Sequence, residues 1–232
     1  MNASRVKSFS LLCAVGGFGT AVFGCLLACS MAVRPNFMNI MMRQMRLTGL
    51  PAILFIVCGI FALVMTIGLA LLSTQLKLLP LARIAGLLSS IFALLYSVHL
   101  LFSGLAFRRI FITMTLFKMN TKLFSLVQFY LPLIILTFFC LTVALLLLGI
   151  ERAQSPAGHI LGIIGAIAFC MIGFLCAVYI PVILTGAIRS VQIAYYWYGY
   201  TGISLLLMSS SLLFVSKLPE HPPSFACARP SA

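Results

Sequence analysis

Leu131-Pro132-Leu133-Ile134-Ile135-Leu136-Thr137-Phe138-Phe139-Cys140-Leu141-Thr142-Val143-Ala144-Leu145-Leu146-Leu147-Leu148-Gly149-Ile150 runs for twenty residues without a charge. At 1.5 Å per residue, a helix of that length covers about 30 Å, the thickness of a bilayer's hydrocarbon. The apolar residues are contiguous rather than alternating, which excludes a barrel strand, and helices and closed barrels alone satisfy their backbone groups in lipid. This stretch is the heart of a longer run, 124–150. Five further runs of similar character occupy 9–33, 50–72, 84–107, 160–184 and 195–215. The fold class that follows is an all-α integral membrane protein, a polytopic bundle of about six transmembrane helices forming one domain over 1–215. The proline-rich tail at 216–232 is expected to be disordered.

Composition agrees: 63% of the 232 residues are hydrophobic, 7% are charged, and the mean hydropathy is +1.21. No connection between spans exceeds about sixteen residues, so none holds a soluble domain. Arg5 and Lys7 before an apolar run, with Leu26-Leu27-Ala28-Cys29 at its end, have the outline of a secretory signal with a lipidation-type cleavage site. The run is longer than a signal's apolar region and rich in spaced small residues, so it is taken as a retained first span.

The net charge of +13 comes from 15 Lys and Arg against two acids, Glu151 and Glu220. The cations lie almost wholly between spans, which makes them topology determinants and contacts to a lipid bilayer that includes anionic headgroups. No folded basic module is present, so nucleic acid is excluded as a partner. The connections 34–49 and 108–122 mix cations with apolar residues, a composition suited to short interfacial helices. Lys and Arg divide almost equally between the two sides of a six-span chain, so orientation is not set by charge.

A weak repeat joins alternate spans: the first, third and fifth end in Ala32-Val33-Arg34, Ala106-Phe107-Arg108 and Ala187-Ile188-Arg189. It suggests three helix hairpins. Seven of the eight cysteines lie inside spans and read as small packing residues rather than a disulfide framework.

Small residues recur every fourth position in the first span, where Gly16, Gly17, Thr20, Ala21, Gly24, Cys25 and Ala28 form one broad face. Such a face lets helix backbones approach closely. It either packs the bundle itself or docks a membrane-protein partner or a second copy. The fourth span, with Leu133, Ile134, Ile135, Leu136, Phe138, Phe139 and Leu145 to Leu148, is expected to face lipid. Pro132 and Pro181 fall inside apolar runs and are expected to bend them. Tyr195, Tyr196, Trp197, Tyr198 and Tyr200 form an aromatic belt at the start of the sixth span.

In the third span Tyr96, His99 and Ser103 share one helical face, and with Gln128 they make a candidate polar pathway. No Asp or Glu lies inside a span to form a relay with His99. Haem ligation by His99 and His159 would need both rings on one axis, and His159 stands at a span entrance. The sequence carries no acid–base pair, nucleophile elbow, phosphate loop or metal-ligand cluster, so no catalytic, cofactor or metal residue is assigned. The expectation is a non-enzymatic multi-pass membrane protein that assembles with membrane partners or shapes its bilayer. The alternative is a passive or partner-energised transporter of a neutral or anionic small solute or lipid.

Overall fold

The computed structural model describes residues 3–32, 50–76, 79–113, 131–150, 156–184 and 192–214. These form α1 (Ala3–Ala32), α2 (Leu50–Gln75), α3 (Pro80–Thr113), α4 (Leu131–Gly149), α5 (Pro156–Leu184) and α6 (Gln192–Leu213), with no strand among the described residues. The helices α1 to α5 are long and apolar enough to cross a membrane. Of α6, the apolar part with described side chains is Gly199–Leu213. With 22 residues, α6 is about 33 Å long.

Proline opens α3, where Pro80 is the first helical residue after the described Leu79. There the missing N–H is one that a helix leaves unpaired anyway, and the fixed φ suits the first turn. The bend expected at Pro132 falls at the edge of the described residues, which resume at Leu131. Pro181 does lie inside its helix, in the last turn of α5.

Each helix packs on the next in sequence, and α6 closes on α1, giving a ring. Contacts run antiparallel at every seam. Between α1 and α2, Cys13 meets Gly68 and Phe23 stacks on Phe61. Between α2 and α3, Gly59 meets Leu101 and Ser73 meets Gly86. Phe92 stacks on Phe138, and Ala82 meets Gly149, between α3 and α4. Cys140 meets Gly173 between α4 and α5, Gly158 meets Ser211 between α5 and α6, and Ala28 meets Gly199 between α1 and α6. The ring is filled by fully buried large side chains, among them Phe55, Met65, Leu69, Tyr96, Phe139 and Phe169. Outward rows such as Ile60 and Ile67 on α2, or Ile91 and Val98 on α3, are exposed and suit lipid contact.

The seams between α2 and α3 and between α6 and α1 are as intimate as those within the expected hairpins, so successive hairpins close into a ring. Two expectations change. The fourth span does not present itself wholly to lipid: 67% of α4's apolar run is buried, including Leu133, Leu136, Phe139, Leu146 and Leu147. Ile134, Phe138, Leu141, Leu145 and Leu148 form its outer row. Lipid and protein interior are equally apolar, so a uniformly apolar helix carries no mark of which face is which. Finally, Arg108 to Thr113 continue α3 rather than starting an interfacial helix. The connection 34–49, residues 114–122 and the tail 216–232 lie outside the described residues.

Candidate functional site

The small-residue face of the first span is covered from within the chain. A Cβ built at Gly16 would stand 2.6 Å from Met65 Cα and 2.8 Å from Met65 Cβ, so α1 and α2 approach backbone to backbone. Thr20 Oγ1 donates to Gly16 O at 2.8 Å, and Thr20 O accepts from Cys58 Sγ at 3.5 Å. The next row faces α6. Ser209 Oγ fills the space a Cβ at Gly17 would need, and a Cβ at Gly202 would stand 3.0 Å from Ala21 O and 2.8 Å from Cys25 Sγ. Cys25 Sγ donates to Gly199 O at 3.8 Å, Ala28 packs against Gly199, and Gly24 is buried. Within the chain, α2 and α6 pack on this face. The part of α1 open to the outside is the row of Leu11, Val15, Val22 and Leu26.

The polar cluster of the third span is enclosed. Tyr96 is 1% exposed, His99 6% and Ser103 0%. His99 Nε2 and Ser103 Oγ are 3.4 Å apart, one helical turn from each other on α3. Phe92 stacks on Phe138, and on that register His99 stands level with the first turn of α4. Tyr179 on α5 is half-buried near the same end. Gln128, the fourth residue of the expected pathway, lies outside the described residues. His159 is in the first turn of α5, at the opposite end of the bundle, because Gly165 packs on Leu147 near the end of α4. The two imidazoles therefore share no haem axis.

The hydroxyls of α6 carry no expectation from sequence. Thr201, Ser204, Ser209 and Ser211 are all buried on it. Elsewhere, several buried hydroxyls return to their own helix: Thr66 to Ala62 O, Ser73 to Leu69 O, Ser89 to Ala85 O and Thr137 to Leu133 O, while Ser97 on α3 crosses to Gly59 O on α2. Ser211 likewise donates across its seam to Gly158 O at 3.3 Å. The Oγ atoms of Ser204 and Ser209 are buried with no hydrogen-bond partner. The signal was legible as a concentration of hydroxyls in an otherwise apolar span, but hydroxyls in membrane helices usually bond to their own carbonyls, which makes them easy to discount.

Cys13, Cys58, Cys140 and Cys176 are buried, Cys25 is half-buried, Cys29 and Cys170 are exposed, and all seven are free thiols. No group of three or more His, Cys, Asp or Glu able to hold a metal occurs among the described residues. Among the described residues, the exposed cations are Arg5 and Lys7 at the start of α1 and Arg83 at the start of α3, at one end of the ring. The chain is thus a multi-pass membrane protein built as a helical bundle. No family model, no curated protein and no solved structure matches it.

Proposed function

We propose that this chain is a non-enzymatic membrane protein that assembles with other membrane proteins or shapes its bilayer. The observation that supports this reading is the filled ring: the polar residues of α3 are sealed in, and large apolar side chains occupy the centre. A protein with its interior committed to packing works through its outer surface. The barest part of that surface is α5, of whose apolar run 39% is buried against 67% for α4. Phe174 and Met171 stand out from it at 68% and 61% exposure, beside the small exposed residues Cys170 and Ala177. Protruding and small residues side by side make a surface into which another transmembrane helix interlocks.

The test is oxidative cross-linking in native membranes of a variant whose sole cysteine is Cys170, followed by Phe174→Ala and Met171→Ala. A covalent dimer, or an adduct of discrete mass, that weakens in both variants is expected. A chain that stays monomeric at every oxidant dose counts against assembly through α5.

The second reading is passive or partner-energised transport, and what favours it is the pair of unpartnered hydroxyls on α6. Proteoliposome swelling in glycerol separates the two readings. Permeability equal to that of empty vesicles is expected. A permeability above it that falls in His99→Ala, at equal amounts of folded protein, would favour transport.

A further inference from the structure

Three observations converge on the outer end of α2. First, the register set by Cys13 against Gly68 places Arg5 level with Gln75 and Leu76, and the register set by Ser73 against Gly86 places Arg83 level with the same residues. Two exposed arginines, one on α1 and one on α3, thus flank the end of α2. Between them Thr74 is exposed and Gln75 half-exposed, with Gln75 Nε2 donating to Thr74 Oγ1 at 3.3 Å.

Second, no acidic side chain stands beside the two arginines among the described residues. The chain has two acids, Glu151 and Glu220, and neither is among the described residues. Third, the outward row of α2 directly beneath, Leu71, Ile67 and Ile60, is apolar and exposed at 36%, 48% and 50%. Guanidinium groups bind phosphate oxygens in a fixed fork, and cations at a bilayer surface draw anionic lipids. A polar, cationic head over an apolar groove has the chemistry of one ligand.

We propose that the end of α2 is a binding site for an anionic phospholipid, its phosphate held between Arg5 and Arg83 beside Gln75, and its acyl chains laid along Leu71, Ile67 and Ile60. This deepens the reading of the chain as a protein that works through its outer surface, and rests on it only in placing the ring in a bilayer. The apolar row beneath the arginines selects a phosphate carried on a lipid over a free one. Lys7, on the α6 side of α1 by helical periodicity, adds charge to the same leaflet without flanking α2.

The test uses the purified full chain in dodecyl maltoside and needs no partner, so its outcome is independent of whether α5 assembles with anything. Retention of phosphatidylglycerol and phosphatidylcholine is measured by native mass spectrometry, with thermal stability read in parallel. Phosphatidylglycerol is expected to be retained in preference, with the doubled variant Arg5→Gln/Arg83→Gln losing about thirty-fold of that preference, roughly a factor of five for each cation. Arg5→Lys/Arg83→Lys is expected to keep most of it. Arg108→Gln/Arg109→Gln, at the other end of α3, is expected to leave it unchanged. Equal retention of the two lipids by the unaltered chain overturns the proposal. So does an equal loss from both arginine pairs, which would mark a diffuse charge effect, or stabilisation by glycerol 3-phosphate matching that by the lipid.

Discussion

Ser97 Oγ on α3 donates a hydrogen bond to the carbonyl oxygen of Gly59 on α2, 2.8 Å away and fully enclosed. The two residues depend on each other. A Cβ at Gly59 would stand 2.8 Å from Leu101 Cγ and 3.2 Å from Leu101 N, so glycine is what lets α3 come close enough for the serine to reach. Ser97→Ala is expected to lower stability by about 0.5–2 kcal/mol, the range found for interhelical hydrogen bonds in lipid. Unfolding of the purified protein in mixed micelles with increasing dodecyl sulfate measures it, and an unchanged midpoint would show that the bond contributes nothing.

The glycines divide into two kinds, and the division is testable. At Gly16 and Gly68 an added methyl would meet backbone atoms of the facing helix, Met65 in one case and Cys13 in the other. At Gly165 and Gly173 the nearest atoms are at 3.2 Å and 3.4 Å, and at Gly165 that atom is the flexible end of Leu147. Gly16→Ala is expected to cost about 1–3 kcal/mol through forced separation of α1 and α2. Gly165→Ala should be within about 0.5 kcal/mol of neutral, or slightly stabilising through lost freedom in the unfolded chain. Similar melting shifts for the two variants would show that close approach at Gly16 is not what its glycine supplies.

How much of this was legible beforehand follows from what lipid does to a sequence. The spans were visible because length and hydropathy alone define them, and the small face of α1 because its four-residue spacing survives any context. The identity of its neighbours was not: nothing in Gly16 or Gly17 names Met65 or Ser209. The buried faces of α4 were equally hidden, since Leu136 inside and Leu145 outside differ in position and not in character. His99 drew attention as the polar exception, yet its enclosure beside Ser103 is a tertiary fact. Ser204 and Ser209 were written in the chain from the start, but their lack of partners depends on rotamers that no spacing predicts.

An even number of antiparallel helices returns the chain to the side on which it began. With α6 packed antiparallel to α1 through Gly202 and Gly199, the start of α1 and the end of α6 lie at one end of the ring. Single cysteines at Ser4 and Ser231 in a cysteine-free background are therefore expected to react with a membrane-impermeant maleimide from the same side of sealed vesicles. Reaction from opposite sides in one population would mean that one of the six helices does not cross.

Ser204 and Ser209 offer the most direct measure of what the interior is for. A buried hydroxyl without a partner forfeits its hydrogen bonds to water and gains none in return, at a cost of about 1–3 kcal/mol. If the two stand in a dry, filled bundle, Ser204→Ala removes that cost with little change of volume and should leave the protein as stable or about 1 kcal/mol more so. Ser209→Ala should behave likewise, because Ser209 Oγ occupies the space beside Gly17 and has no hydrogen-bond partner. The contrast with Ser97→Ala, where the same chemical change breaks a bond, controls for the substitution itself. Both midpoints come from the same micellar unfolding series. Destabilisation by Ser204→Ala or Ser209→Ala comparable to that by Ser97→Ala would mean that the hydroxyls hold a water or a small polar ligand inside the ring, and would move the balance from assembly toward transport.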